Sequence, residues 1–156
     1  MDFFEEDIIK FLSSLNNHSV EYILVGGFAV NVNGISRATK DLDMWLADTE
    51  KNRTTFVEAL KEYGIEGAEI FHTLPFIAGY TEIILDNGFA VDVMADLQFF
   101  KQNTFKDCYK LATKFNITET LAIPVLHINT LIKEKEQSHR PKDKLDAEEL
   151  KKLYKQ

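Results

Sequence analysis

The sequence predicts a mixed α/β (α+β) fold, a β-sheet flanked by helices with further helices at the C-terminal end. Three observations predict it. Apolar residues at spacings of three and four mark helices at 2–15 and 50–63, and short apolar or period-two runs at 21–25, 41–46 and 89–94 mark strands. The helix at 50–63 falls between two of those strands, so helix and strand alternate as in a mixed sheet. With hydrophobic residues at 45%, 7 Gly and 3 Pro in 156 residues, the chain is expected to form one domain around a single core.

Phe4, Ile8, Phe11, Leu12 and Leu15 form one apolar stripe on a helix from about Asp2 to Leu15, stopped by Asn16-Asn17-His18-Ser19. Glu21-Tyr22-Ile23-Leu24-Val25 reads as a short buried strand, and Gly26-Gly27 halts it before a short helix, Phe28 to Asn33, closed by Gly34. A polar loop, Ile35 to Lys40, leads into Asp41-Leu42-Asp43-Met44-Trp45-Leu46. Its alternation puts Leu42, Met44 and Leu46 on one face, and Asp41, Asp43 and Trp45 on the other. The helix from Glu50 to Tyr63 turns Phe56, Val57, Leu60 and Tyr63 inward and ends before Gly64.

Further strands are expected at about Ala68 to His72 and Thr81 to Leu85. Asp86-Asn87-Gly88 is then a hairpin signal returning the chain into Phe89-Ala90-Val91-Asp92-Val93-Met94. From Phe99 onward the pattern weakens, leaving one extended piece at about Leu121 to Leu126, interrupted by Pro124. Helices at about Asn129 to Gln137 and Lys142 to Tyr154, parted at His139-Arg140-Pro141, close the chain. The sheet thus spans about 20–98 and the C-terminal helical region about 127–155 of one domain.

Charge is unevenly spread. Met1 to Gln98 holds 6 basic against 17 acidic residues, whereas Phe99 onward holds 12 against 8, within a total of −7. The total disfavours extended nucleic-acid binding, while the late basic region is suited to meeting phosphates. No apolar run reaches the roughly 20 residues of a membrane-spanning helix, and the acidic start is unlike a secretory signal, so a cytoplasmic protein with no membrane partner is expected. Cys108 is alone and reads as a core thiol; His18, His72, His127 and His139 lack metal-ligand spacing.

The chemistry lies in three carboxylates. Asp41 and Asp43 point to the same side of one strand, about 6–7 Å apart at the backbone, and Asp92 stands between Val91 and Val93 in another. An ionised carboxylate in an apolar sheet costs several kcal/mol unless paired, and like charges nearby add to that cost. A cation answers both terms, and Mg²⁺, which prefers hard oxygen ligands and substrate phosphates, fits best. Each part has a plainer use as loop solvation or an exposed strand face. What favours chemistry is the order: strand, Gly26-Gly27, helix, Asp41-Leu42-Asp43 fourteen residues beyond Gly27, then Asp92 in a second apolar strand. Glycines at a strand end let phosphate approach backbone N–H groups.

Leu24-Val25-Gly26-Gly27-Phe28-Ala29-Val30, then Arg37-x-Thr39-x-Asp41-Leu42-Asp43, then Val91-Asp92-Val93 resembles the minimal nucleotidyltransferases of the DNA polymerase β superfamily. The resemblance is strongest to small AbiEii-like proteins, extends more distantly to small antibiotic nucleotidyltransferases, and covers Tyr22 to about Leu150. It implies a nucleotidyltransferase-type sheet in which Asp41, Asp43 and Asp92 are catalytic and hold two Mg²⁺ ions. By the same resemblance Gly26 and Gly27 line the nucleotide phosphates, and Arg37 and Thr39 orient the acidic pair or contact phosphate. Lys135, Arg140, Lys142-Asp143 and Asp146 are similar to the basic-then-acidic helical motif of the AbiEii-like proteins. Lys135 and Arg140 would then neutralise the triphosphate, and Asp143 would position a partner or a metal-bound water. One departure is the turn itself, Gly-Gly where many such transferases carry Gly-Ser.

The implied reaction moves a nucleoside monophosphate from an NTP to an acceptor hydroxyl on a small molecule, a tRNA or a protein. The small chain favours an acceptor site completed by a homodimer or a partner protein. Phe71, Phe76, Tyr80, Phe99 and Phe100 are candidates for its lining, with the core as their plainer place. The competing expectation is a catalytically inactive nucleotide-binding or toxin–antitoxin interaction protein on the same fold.

Overall fold

The computed structural model describes residues 6–36, 39 and 41–154. The first helix, α1 (Glu6–Asn17), buries Ile8, Phe11, Leu12 and Leu15, the stripe read from their spacing; its expected start at Asp2 and Phe4 lies outside the described residues. The chain reverses through Ser19, at φ 57°, and enters β1 (Tyr22–Val25), whose four residues are all buried. That explains why the segment is apolar throughout: β1 lies inside the sheet with both faces covered.

Helix α2 (Gly26–Val32) starts on the glycine that ends β1, two residues earlier than its apolar pattern indicates. After the loop comes β2 (Asp41–Leu46), as expected. Helix α3 (Glu50–Tyr63) is capped by Thr49, whose hydroxyl accepts the Asn52 N–H at 3.1 Å, and ends at Gly64. Asn52 is buried within it. Its Nδ2 donates to Glu21 O at 2.9 Å and Ala47 O at 2.8 Å while its Oδ1 accepts the Glu21 N–H at 2.8 Å, tying the start of β1 to the end of β2.

The expected strand at Ala68–His72 is instead a 3-10 turn. Ala68 and Phe71, three apart, are buried and Ile70 is 56% exposed, a period of three that no strand presents. The hairpin follows as read: β3 (Glu82–Ile84) and β4 (Ala90–Met94) pair antiparallel, closed by Leu85 N–H to Phe89 O and Gly88 N–H to Leu85 O, both 2.8 Å. Beyond it the structure adds a 3-10 turn at Gln102–Thr104, helix α4 (Phe105–Leu111) and strand β5 (Thr113–Asn116), none of which the pattern marked. Strand β6 (Ala122–Val125) runs through Pro124 rather than breaking there. Helices α5 (Ile128–Gln137) and α6 (Pro141–Tyr154) pack on each other.

The six strands form one open mixed sheet in the order β3-β4-β2-β1-β6-β5. Strand β2 is parallel to β4 and antiparallel to β1, and β1 is parallel to β6. Trp45 is fully buried, donates its indole N–H to Ala95 O at 2.7 Å and meets Phe105 edge-on with centroids 5.1 Å apart. The face of β2 that holds Asp41 and Asp43 therefore closes into core two residues further on. Cys108 is buried, as expected of a core thiol, and His127 caps α5 by accepting the Asn129 N–H at 3.1 Å. Among the described residues no helix is long and apolar enough to cross a membrane.

Candidate active site

Register builds the site. Asp43 on β2 stands opposite Val25, the last residue of β1, on one side and opposite Asp92 of β4 on the other. Gly26, following Val25, has φ +66° and leaves the space into which the Asp43 carboxylate projects. Gly27 comes close to Thr39, whose hydroxyl donates to Asp41 O at 3.0 Å and so holds the backbone where the acidic strand begins. Asp41 lies one place upstream on the same face, opposite Ala90. These residues form one wall of a cleft of about 590 Å³; Glu134, Lys135, Ser138, Arg140, Lys142 and Asp143 line the other. The structure thus brings together Gly26, Gly27, Thr39, Asp41, Asp43, Asp92, Lys135 and Arg140. Arg37 lies outside the described residues.

The sheet wall is electrostatically loaded. Burial, then the charges of Asp41 and Asp92, push the Asp43 carboxyl up to about 7, against the opposing pull of Lys135. Burial also raises Asp92. The Gly79 N–H, 3.0 and 2.8 Å from its two oxygens, acts in the opposite sense, and Asp41 and Glu82 add to the rise. Hard oxygen donors sharing an open cleft fit a cation such as Mg²⁺ in their chemistry, because a bound cation reverses the repulsion that raises Asp43. Among the described residues no three acidic, His or Cys side chains converge into a ready-made metal shell. The donors stand as two strand carboxylates and a third tethered to Gly79.

The helical wall is organised by a break. Helix α5 stops at Gln137, Ser138 is extended, and α6 starts at Pro141, so Asp143 and Asp146, three apart on α6, turn back toward Lys135. Lys135 Nζ lies 3.1 Å from Asp143 and 3.5 Å from Asp146. Ser138 donates its hydroxyl to Asp143 at 2.7 Å and accepts the Arg140 N–H at 3.1 Å. Burial pushes Asp143 up, but hydrogen bonds from Ser138 and Lys135 outweigh it and hold the carboxyl below its usual range. Asp143, which by the resemblance would position a partner or a metal-bound water, is here hydrogen-bonded to both Lys135 and Ser138. Arg140, with 70% of its side chain exposed and Nε 3.8 Å from Asp143, reaches from the surface.

Three residues of the site carry no motif. Gly79, Ser138 and Glu134 act through position: Gly79 by one main-chain N–H, Ser138 at a helix break, and Glu134 by accepting the Phe99 N–H at 3.2 Å. The only sequence signals are the Gly in a loop and the Ser between two helices. Of the aromatic candidates for the acceptor, Phe71 and Phe76 are core and Tyr80 is 86% exposed. Neither protein-family models nor curated proteins give a match to the chain.

Proposed function

We propose that the protein is a Mg²⁺-dependent nucleotidyltransferase that moves a nucleoside monophosphate from an NTP to an acceptor hydroxyl on a small molecule, a tRNA or a protein. One observation carries the reading. The Gly26-Gly27 turn, Asp43 beside it and Asp92 on the next strand face Lys135 and Arg140 across a single cleft, so the ionisable side chains of the sheet wall are all carboxylates, whereas the helical wall brings Lys135, Arg140 and Lys142 into the cleft together with Glu134 and Asp143. A triphosphate with its divalent cations matches that arrangement, with the cations at the sheet carboxylates and the phosphates toward the cationic side chains of the helical wall.

Asp41, Asp43 and Asp92 would hold two Mg²⁺ ions, which supply charge neutralisation at the attacking and leaving oxygens when bound. The chain's own groups do the rest. Backbone N–H groups at Gly26-Gly27 meet the phosphates in place of the serine hydroxyl that this turn lacks, and Thr39 holds the start of the acidic strand through Asp41 O. Lys135 and Arg140 offset the negative charge as the α-phosphorus to bridging-oxygen bond breaks and pyrophosphate leaves. The acceptor oxygen forms the new bond to the α-phosphorus, and Asp92 takes its proton. A second copy or a partner protein completes the acceptor site in this reading.

The test is calorimetric titration of ATP, GTP, CTP and UTP with and without Mg²⁺, in the wild type and in Asp41→Asn, Asp43→Asn. Metal-dependent binding lost in the double variant, with pyrophosphate release by the wild type, is the expected result. Binding without any release would favour a nucleotide-binding interaction protein instead, and no binding of any NTP would overturn both.

A further inference from the structure

Asp92 is held by a loop, and a buried hydroxyl ties the base of that loop. The segment from Pro75 to Tyr80 precedes β3 and folds back over β4. Within it, Tyr80 N–H and Thr81 N–H both return to Ile77 O, at 2.9 and 3.1 Å, and Gly79 sits at φ +82°. The tip of this turn directs the Gly79 N–H to both oxygens of Asp92, at 3.0 and 2.8 Å. Thr81 is only 3% exposed, and its side chain spans the base of the loop. Its hydroxyl donates to Pro75 O at 2.9 Å and accepts the Ile77 N–H at 2.9 Å. Below it, Thr81 O accepts the Val93 N–H at 2.8 Å and Phe76 O accepts the Ala95 N–H at 3.1 Å. Those two bonds fasten the loop to the strand that carries Asp92. Arg53 closes the far side, donating to Phe71 O at 2.9 Å and Leu74 O at 2.8 Å with its guanidinium 3.9 Å above the Phe76 ring.

We propose that Thr81 is a positioning residue for Asp92, acting through the Gly79 N–H. The inference rests on the reading of Asp92 as the group that takes the acceptor proton. A carboxylate has about four lone-pair sites, so a single N–H fixes its orientation and leaves the others for a cation and an acceptor hydroxyl. Position matters because a displacement of about 1 Å at a reacting group costs on the order of a hundredfold in rate. A rigid donor on a loop with its own anchors supplies that position, whereas a solvated strand aspartate would sample several rotamers.

Thr81→Val keeps the shape of the side chain and removes both loop hydrogen bonds, while Thr81→Ser restores a hydroxyl. Two readouts separate positioning from simple loop stability. In amide proton–nitrogen spectra of the metal-free protein, the Gly79 resonance is expected to move in Thr81→Val toward its place in Asp92→Ala, and to return in Thr81→Ser. In pyrophosphate release with ATP, GTP, CTP or UTP and a small alcohol, tRNA or protein supplied as acceptor, Thr81→Val is expected to lower kcat about tenfold or more while KM for the NTP stays within about twofold. Should Thr81→Val not fold, Thr81→Cys, of similar volume but a far weaker donor and acceptor, replaces it. An unmoved Gly79 resonance, a Thr81→Ser that behaves like Thr81→Val, or kcat and KM changing together would overturn the proposal. If the wild type releases no pyrophosphate with any NTP when small alcohols, tRNA and protein are each supplied as acceptor, nucleotidyl transfer to those acceptors fails as a function, and the Gly79 resonance still decides whether Thr81 sets Asp92.

Discussion

A Cβ at Gly26 would collide with Asp43 Oδ2, so the missing side chain at position 26 is what lets the carboxylate reach the turn where α2 begins. The glycine serves twice, since its φ of +66° also lies in the left-handed region. Gly26→Ala is therefore expected to destabilise the protein by about 1 kcal/mol or more from backbone strain and, separately, to displace Asp43 and weaken Mg²⁺–NTP binding. Gly64 is the control, with φ +111° and nothing within 4 Å of its Cβ position. Gly64→Ala should cost comparable stability in urea denaturation and leave nucleotide titrations unchanged.

Asp43 makes stability depend on pH in an unusual direction. Its folded pKa of about 7 lies above the unfolded value, about 3.9 for aspartate. The folded state thus binds the extra proton, and this residue's contribution is fully present below about pH 4 and lost as the pH rises toward 7. In the metal-free protein Asp43→Asn should raise the melting temperature at pH 8, by the equivalent of up to about 4 kcal/mol, and change it little at pH 4. Mg²⁺–NTP binding should weaken in the same variant. A lower melting temperature at pH 8 with unchanged nucleotide binding would make Asp43 a structural residue.

How much of this was legible depends on whether a residue's role shows in its neighbours along the chain. The acidic strand, the Gly26-Gly27 turn, the Asn-Gly hairpin and the closing helices all rest on local signals, and all are present. At Ala68–His72 the run Ala-Glu-Ile-Phe-His satisfies strand alternation only if Ile70 is buried, and Ile70 is exposed, so the segment is a 3-10 turn. Strand β5, Thr-Lys-Phe-Asn, is an edge strand with three exposed residues; nothing in such a polar run separates it from a loop. Asn52 and Gly79 act through contacts 31 and 13 residues away in the chain, and no local pattern encodes those. That Asp43 and Asp92 share a site follows from the order of strand, glycine turn, acidic strand and second apolar strand; their direct opposition is a fact of register.

Lys135 stands in a cluster that water barely reaches, its side chain 13% exposed beside Asp143 at 11% and Asp146 at 1%. Removing the cation takes the positive charge from beside two buried carboxylates, although Asp143 keeps the Ser138 hydroxyl. Lys135→Met should destabilise the protein at pH 7 by about 3 kcal/mol, the scale for breaking a buried pair. The folded pKa of Asp143 is depressed, so its contribution is present above the unfolded value and lost as pH falls through the folded one. The penalty of Lys135→Met should accordingly shrink near pH 3, as Asp143 takes up its proton. Urea denaturation at the two pH values checks this; an equal penalty at both would mean that lost packing of the lysine stem, rather than lost charge, sets the cost.

Asp92 and Asp43 are register partners with different surroundings, and in the proposed reaction they take different tasks. Asp43 is the more deeply set, wedged between the glycine turn and two like charges. Asp92 is held from one side by a main-chain N–H and bordered by Glu82 on the next strand. In the proposed reaction Asp43 secures the nucleotide through its cations, and Asp92 faces the acceptor. Asp92→Asn keeps an oxygen for the Gly79 N–H but cannot take a proton near neutrality. It is expected to retain Mg²⁺-dependent NTP binding within about threefold while turnover falls on the order of 10² or more, the scale of general-base loss. Paired titration and pyrophosphate-release measurements on the one variant separate the two tasks. Wild-type turnover in Asp92→Asn would remove the base role and leave the residue as a holder of cations, whereas loss of binding together with turnover would merge its task with that of Asp43.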